Sequence, residues 1–426
     1  MGKDEPPSGM VEEERSFDDL PLGNRLRRWG ILLILMLALS VLVGFGTVAV
    51  LRLAGFLQAS VWSGLYQALP DPLQRMFPLV VCALGGVLVG LWGKHCGYTL
   101  DTLGTVVASC RREGGYRIRN WGQTLVLFLL PIAFGGAVGP EAGMSCFAAA
   151  LATLALGAMR RAGYAVTDPA TDPLRAAVRV LAPGNAEAKE LRARRRWVRD
   201  ALWAWCGLGF VAGALLFSHI FGKGEGMPRF APVDYRTFDL GATVLALAIA
   251  FALFTINEAA SRAIPRLVGG LGTVTRAVIC GLVLGAVACF LPDVLFSGQS
   301  ATGELMGDWA SRGAALLAAT AVVKLILTNL CESSVWVGCK FFPLIFRGVS
   351  GGYAAAALLG VDPLLPVAVC AGAFVATHTR KPLLAVCVLA ICFPPLSLPA
   401  VAVGAFIGAK VARSAEGDRI ASDATE

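Results

Sequence analysis

The sequence predicts an all-α, polytopic membrane protein in two halves, each carrying a broken helix near the membrane midplane. Composition predicts the class: hydrophobic residues make up 56% of the 426-residue chain and charged residues 15%, with a mean hydropathy of +0.67. Soluble domains carry about 25% charged residues, so this chain is built for bilayer rather than water. Apolar stretches near the spanning length of about 20 residues, with shorter ones suited to tilted or broken helices, number roughly ten to twelve. Two short segments predict the halves. Residues 135–140 (GGAVGP) and 338–343 (GCKFFP) share a Gly-x4-Pro spacing, and each joins one apolar run to the next. Discontinuous helices in matching positions of two halves mark a transport site near the midplane.

In chain order, residues 1–24 are polar and acidic, with Asp4, Glu5, Glu12, Glu13, Glu14, Asp18 and Asp19. They predict a disordered cytoplasmic tail over 1–29 with no cleavable signal peptide at the start. Arg25, Arg27 and Arg28 stand directly before the apolar residues 31–51, which by the positive-inside rule leaves the N-terminus in the cytoplasm. Residues 30–159 form the first part of the membrane domain. Residues 160–200 follow as a basic cytoplasmic loop or surface helix, with Arg160, Arg161, Arg192, Arg194, Arg195, Arg196 and Arg199. Four apolar stretches separate the two basic regions, the even number that two cytoplasmic regions require. Anionic lipid is a candidate contact for the loop. Residues 201–413 are the remainder of the membrane domain, where Arg262, Arg266, Arg276, Lys410 and Arg413 fit the same sidedness, and 414–426 are a second cytoplasmic tail.

The second break shows the logic of both. The apolar run 322–330 gives way at Cys331-Glu332-Ser333-Ser334 to a small, polar stretch ending at Gly338. Pro343 suits the first turn of a new helix, where its missing N–H costs nothing, and the apolar pattern resumes over 344–360. The result is a helix N-terminus at membrane depth. Its free N–H groups carry roughly half a positive charge and favour a dehydrated anion.

On these motifs the chain resembles the CLC family of chloride channels and anion/proton exchangers, as a divergent bacterial member. Gly338-Cys339-Lys340-Phe341-Phe342-Pro343 resembles the family's GKFxP or GGxFxP signature, and Leu291-Pro292-Asp293-Val294-Leu295 with Gly298 resembles the segment upstream of it. Gly136-Ala137-Val138-Gly139-Pro140 resembles GxEGP, with Val138 where the gating glutamate usually stands and Glu141 just after the proline. The resemblance runs from about residue 30 to 412 and is closer in the second half. It implies CLC-like inverted-topology repeats, a homodimer in a bacterial inner membrane with both termini cytoplasmic, and transport of a small inorganic anion, chloride by default. It also implies anion contacts from the backbone at Val138 and Gly139 and at Phe341 and Phe342. Cys96, within His95-Cys96-Gly97-Tyr98-Thr99, takes the serine slot of the family's Gly-Ser-Gly-x-Pro loop.

Glu141 has two readings. An acidic residue at a helix start is ordinary capping chemistry, and an ionisable residue in a membrane segment is a gating or proton-carrying candidate. It lies three positions beyond Val138, so it reaches the pathway only if the local backbone departs from the family's. Lys340 either draws anions into the pathway or snorkels to an interface, and Glu332 is a partner for Lys340 or for Lys324. Where exchangers carry an inner glutamate after the helix resembling 211–217, this chain has Ser218, His219 and Ile220. His219 is a proton-transfer candidate, since its charge changes near neutral pH. No tyrosine follows Tyr353, although the family's late tyrosine lines the anion site. The expected function is therefore passive chloride conduction. Proton-coupled chloride or fluoride antiport is the alternative, and a non-conducting membrane sensor or scaffold is the reading of another class.

Other chemistries find no support. The twelve cysteines are scattered, mostly inside apolar stretches and without Cys-x-x-Cys pairs, and the three histidines are far apart, so no metal site and no cofactor are expected. No Walker-type motif is present, and no enzyme activity is expected. The net charge of +8 comes from basic residues in loops between spans, which topology explains without nucleic acid. Residues 298–303 (GQSATG) are expected to be an external loop.

Overall fold

The computed structural model of the chain describes residues 20–67, 69–167, 172–174, 196–222, 228–237 and 239–423. The acidic segment 1–19 and most of the basic loop, 175–195, lie outside the described residues.

Helix α1 (Leu22–Ala59) starts eight residues ahead of the expected boundary at 30, so the basic cluster at Arg25, Arg27 and Arg28 is itself helical. A π-helical turn over Ser60–Leu65 continues it. α2 (Asp71–Cys96) has proline in its first turn and stops at Gly97 with φ of 67°. α3 (Leu103–Glu113) and α4 (Trp121–Ala133) are capped by the Thr102 and Asn120 side chains, which accept from the N–H groups of Thr105 and Gln123. α5 (Glu141–Thr167) and α6 (Arg196–Ile220) narrow the expected 160–200 interruption from both sides. α7 (Leu240–Val268) begins on an Asp239 cap, followed by α8 (Thr273–Ala288) and α9 (Gln299–Arg312). The last five are α10 (Ala314–Ser333), α11 (Phe341–Leu359), α12 (Leu364–Thr379), α13 (Pro382–Leu389) and α14 (Leu398–Asp423). One expectation changes here: residues 299–303 are the opening of α9 rather than a loop. Past residue 413 the chain stays helical to Asp423.

Among the described residues, eight helices are long and apolar enough to cross a membrane, and α4, α8 and α12 are shorter apolar helices. The protein is a multi-pass membrane protein. Its outward side chains agree: Phe290 and Leu267 are 86% and 77% exposed, which is costly in water and neutral in lipid.

The chain divides into two units. One comprises Met1–Ala49 and Ala148–Gly222. Within it Trp205 Nε1 donates to Leu33 O at 3.0 Å, and Phe45 packs edge-on against Phe217 at 4.8 Å between ring centres. The other comprises Val50–Phe147 and Lys223–Glu426. Its larger core surrounds α11 and α12, with Phe346, Val349, Val367, Phe374 and Val401 buried among α7, α10 and α14. A second core joins α2, α8 and the end of α10 through Cys82, Ala277, Cys280, Leu284 and Trp336. Glycine makes the tight crossings possible. A Cβ at Gly281 would overlap Cys82 O, and one at Gly404 would overlap Val369 O.

Candidate functional site

Both helix breaks lie in the second unit. α4 ends at Ala133 and α5 starts at Glu141; α10 ends at Ser333 and α11 starts at Phe341. The breaks thus occupy residues 134–140 and 334–340, offset by 200 positions. Their hydrogen bonds repeat at that offset: Gly136 N donates to Pro131 O at 2.7 Å and Trp336 N to Cys331 O at 3.1 Å. So does their backbone, with positive φ at Gly135 (87°) and Val335 (69°). Each helix ends in a left-handed residue that turns the chain out. The two breaks then meet in an antiparallel bridge: Gly139 N donates to Cys339 O at 2.8 Å, and Cys339 N to Gly139 O at 2.9 Å. A residue paired with its own counterpart marks a local two-fold axis between the repeats. The shared Gly-x4-Pro spacing is not the structural equivalence. Pro140 precedes α5, whereas Pro343 is the third residue of α11, a displacement of three positions.

Irregular backbone at membrane depth survives only if its polar groups are satisfied. Thr328 Oγ1 donates to Ala137 O at 3.0 Å, Trp336 Nε1 to Ala277 O at 3.0 Å, and Trp62 Nε1 to Ala133 O at 2.9 Å.

Glu141 is the first residue of α5, and its carboxylate folds back to the other repeat. Oε1 accepts from Phe342 N at 3.3 Å, at the start of α11, while Oε2 is buried and without a hydrogen-bond partner. Its own backbone N–H also points at the carboxylate. A Cβ at Gly139 would overlap Oε2, so glycine there makes room for the fold-back. The Cys339 thiol lies beside the carboxylate and beside the N–H groups of Lys340 and Phe341. Lys340 pairs with Glu332 at 2.5 Å. Lys324 is not the partner of Glu332: it is fully buried, and its Nζ donates to Asp293 O and Leu295 O at 2.9 Å each.

The residues singled out in the sequence therefore separate. Glu141, Gly139, Phe341, Phe342 and Lys340 come together. Gly139 does not offer a free N–H, because the bridge to Cys339 takes it. Val138 is buried, and a Cβ at Gly338 would lie 2.5 Å from its side chain. Cys96 ends α2 in an apolar cluster with Leu100, Leu127 and Phe128, and among the described residues no hydrogen bond ties it to Glu141 or Phe342. His219 is exposed in the last turn of α6, in the first unit. Sequence reasoning missed Cys339 as a neighbour of the carboxylate. It also missed a polar group behind α11 made of Asn257, Asn329, Arg347 and His378. An arginine inside the apolar run 344–360 was the available signal.

The sequence model of the family described as voltage gated chloride channel matches residues 195–413, just over half of the chain. The chain belongs to this family. Anion transport across a membrane is thus its class of function. Three solved CLC structures share the fold. A slow cyanobacterial Cl-/H+ antiporter has a TM-score of 0.62 at 15% identity, covering 91% of this chain and 95% of that one. A CLC-type fluoride/proton antiporter has a TM-score of 0.55 at 18% identity, covering 93% and 98%. A eukaryotic CLC transporter has a TM-score of 0.59 at 15% identity, covering 92% and 72%. No curated protein matches the chain. Among the described residues of this CLC chain, no group of three or more His, Cys, Asp or Glu is placed to hold a metal ion.

Proposed function

We propose that this CLC protein conducts a small inorganic anion passively, chloride by default, through the meeting point of α5 and α11, with Glu141 as its gate. The observation that carries the proposal is the hydrogen bond from Phe342 N to Glu141 Oε1 at 3.3 Å. The α11 N-terminus is a donor surface at membrane depth, and a carboxylate and a dehydrated anion compete for the same N–H groups. A proton on Glu141 removes its charge and weakens its hold, and the anion takes the vacated donor at Phe342, next to the Phe341 N–H. Lys340 adds positive charge at the mouth of this route, tempered by Glu332. By family analogy the protein is a homodimer in a bacterial inner membrane, with both termini cytoplasmic.

A second reading, proton-coupled antiport, is favoured by one specific feature. Glu141 Oε2 is buried without a partner, which suits a group that takes up and releases a proton in transit. Two of the structural neighbours are described as Cl-/H+ and fluoride/proton antiporters. Against it stand Ser218, His219 and Ile220 in place of an inner carboxylate, and the lack of a tyrosine after Tyr353.

The test is anion efflux from liposomes holding purified protein, comparing chloride, fluoride and nitrate with and without a proton ionophore. Passive conduction gives electrogenic chloride loss with no change of internal pH. Proton movement driven against its gradient by the anion establishes antiport instead. Efflux no faster than from empty liposomes moves the sensor or scaffold reading to the front.

A further inference from the structure

Arg347 stands in the second turn of α11 and is 1% exposed. Its Nε donates to Pro343 O at 2.8 Å, so the guanidinium leans back over the first turn of the helix. Nη1 reaches Asn257 Oδ1 on α7 at 3.5 Å, the long limit of a hydrogen bond, and that oxygen is already taken by Asn329 Nδ2 from α10 at 3.0 Å. Asn257 Nδ2 in turn meets His378 Nε2 on α12 at 2.9 Å. The guanidinium carbon sits 5.7 Å from the centre of the Phe374 ring. Nη2 is buried and has no hydrogen-bond partner among the described residues.

Charge balance makes this arrangement incomplete. A guanidinium stays protonated at every physiological pH, and a buried charge is tolerated when an opposite charge or a full set of acceptors answers it. Among the described residues no carboxylate lies within ion-pair distance of Arg347. Glu332, whose charge reaches it, is engaged by Lys340 at 2.5 Å. Lys324, also fully buried, is satisfied by two carbonyls. Asn257 Oδ1 is shared between Asn329 and Arg347, so the neutral acceptors are spent. What the site lacks is a small negative acceptor on the Nη2 side.

We propose that the Arg347 guanidinium holds a small inorganic anion through Nη2, among α7, α10, α11 and α12, at a position separate from the Phe342 N–H. Identifying the ligand as the transported anion rests on the transport reading; the unanswered charge does not. The anion approaches one edge of the guanidinium while Pro343 O and Asn257 fix the rest of it, and the buried Phe374 ring covers one face.

The experiment is diffraction from crystals of the full-length protein grown in bromide, read by anomalous scattering, with thermal unfolding in chloride and in gluconate. The wild type should show a bromide peak within hydrogen-bonding distance of Nη2 and a higher melting temperature in chloride. Arg347→Met should lose the peak and the chloride-dependent part of the shift. Arg347→Lys, which keeps the charge without the planar fork, should retain a weakened version of both. No bromide peak at Nη2 in the wild type overturns the proposal. So does a chloride-dependent shift in Arg347→Met equal to that of the wild type. If Arg347→Met does not fold, the wild-type map and Arg347→Lys decide. Chloride efflux from the same preparation separates the two ideas: efflux without a peak sinks only this site, and a peak without efflux sinks only the transport reading.

Discussion

At Glu141 a capping position and the proposed gating position coincide. The residue starts α5, as a cap does, and its carboxylate reaches the first turn of α11, as the proposed gate requires. The fold-back depends on Gly139, whose missing Cβ leaves space for Oε2. Gly139→Ala should therefore behave like loss of the carboxylate: chloride efflux should lose its dependence on pH although Glu141 is still present, and retained pH dependence would show that the carboxylate does not need this space. Lys340 is the complementary case. Its side chain is 41% exposed and paired with Glu332, and exposed pairs contribute up to about 1 kcal/mol. Lys340→Gln should leave the unfolding midpoint nearly unchanged while lowering chloride flux about two- to fivefold through lost local positive potential; an unchanged flux would make the pair purely structural. Sequence reading singled out Glu141, Phe341, Phe342 and Lys340, which the structure brings together, because charged, aromatic and proline residues stand out in an apolar chain. It could not see that the Gly139 N–H is consumed, since that depends on a partner 200 positions away.

The helix breaks, at the scale of elements, were legible in outline and misaligned in detail. Glycine and proline punctuation located both. The true equivalence runs through the left-handed residues Gly135 and Val335 and through the Gly139–Cys339 bridge. Val335 carries no glycine signature: a β-branched residue is held at φ of 69° by tertiary packing, with its side chain buried against the Gly93 position of α2. Composition rules do not predict such a residue in that region. Gly135 offers the clean test. Alanine there meets the left-handed penalty of about 1–2 kcal/mol, and its Cβ would lie 2.7 Å from Trp62 Cζ2. Gly135→Ala should lower the melting temperature in detergent, while Gly30→Ala, with nothing within 4 Å, should not. Equal effects would mean that the break tolerates a Cβ and that its geometry is not set by glycine.

The class of the whole molecule was readable from composition alone, because a chain with 56% hydrophobic residues has to place its apolar surface in lipid. Helix ends were less readable. α1 starts ahead of the basic cluster and α14 passes Arg413, since arginine is a good helix former and a helix need not stop where the bilayer does. The charge pattern predicts that fluorescent protein fused to either terminus lights up in bacterial cells; a dark fusion at one end would give an odd number of crossings and overturn the assigned sidedness. In the proposed gate, the Glu141 carboxylate and the anion compete for the α11 N-terminus. Chloride efflux from liposomes, followed for the wild type and Glu141→Ala as pH is lowered from neutral to acid, decides between gate and cap. A charge-assisted hydrogen bond is worth about 1.5–3 kcal/mol, so removing the competitor should raise the neutral-pH rate roughly tenfold or more. Wild-type efflux should climb as pH falls, while Glu141→Ala should be fast and flat across the range. Two curves of the same height and the same pH dependence would contradict the account and leave Glu141 as a helix cap.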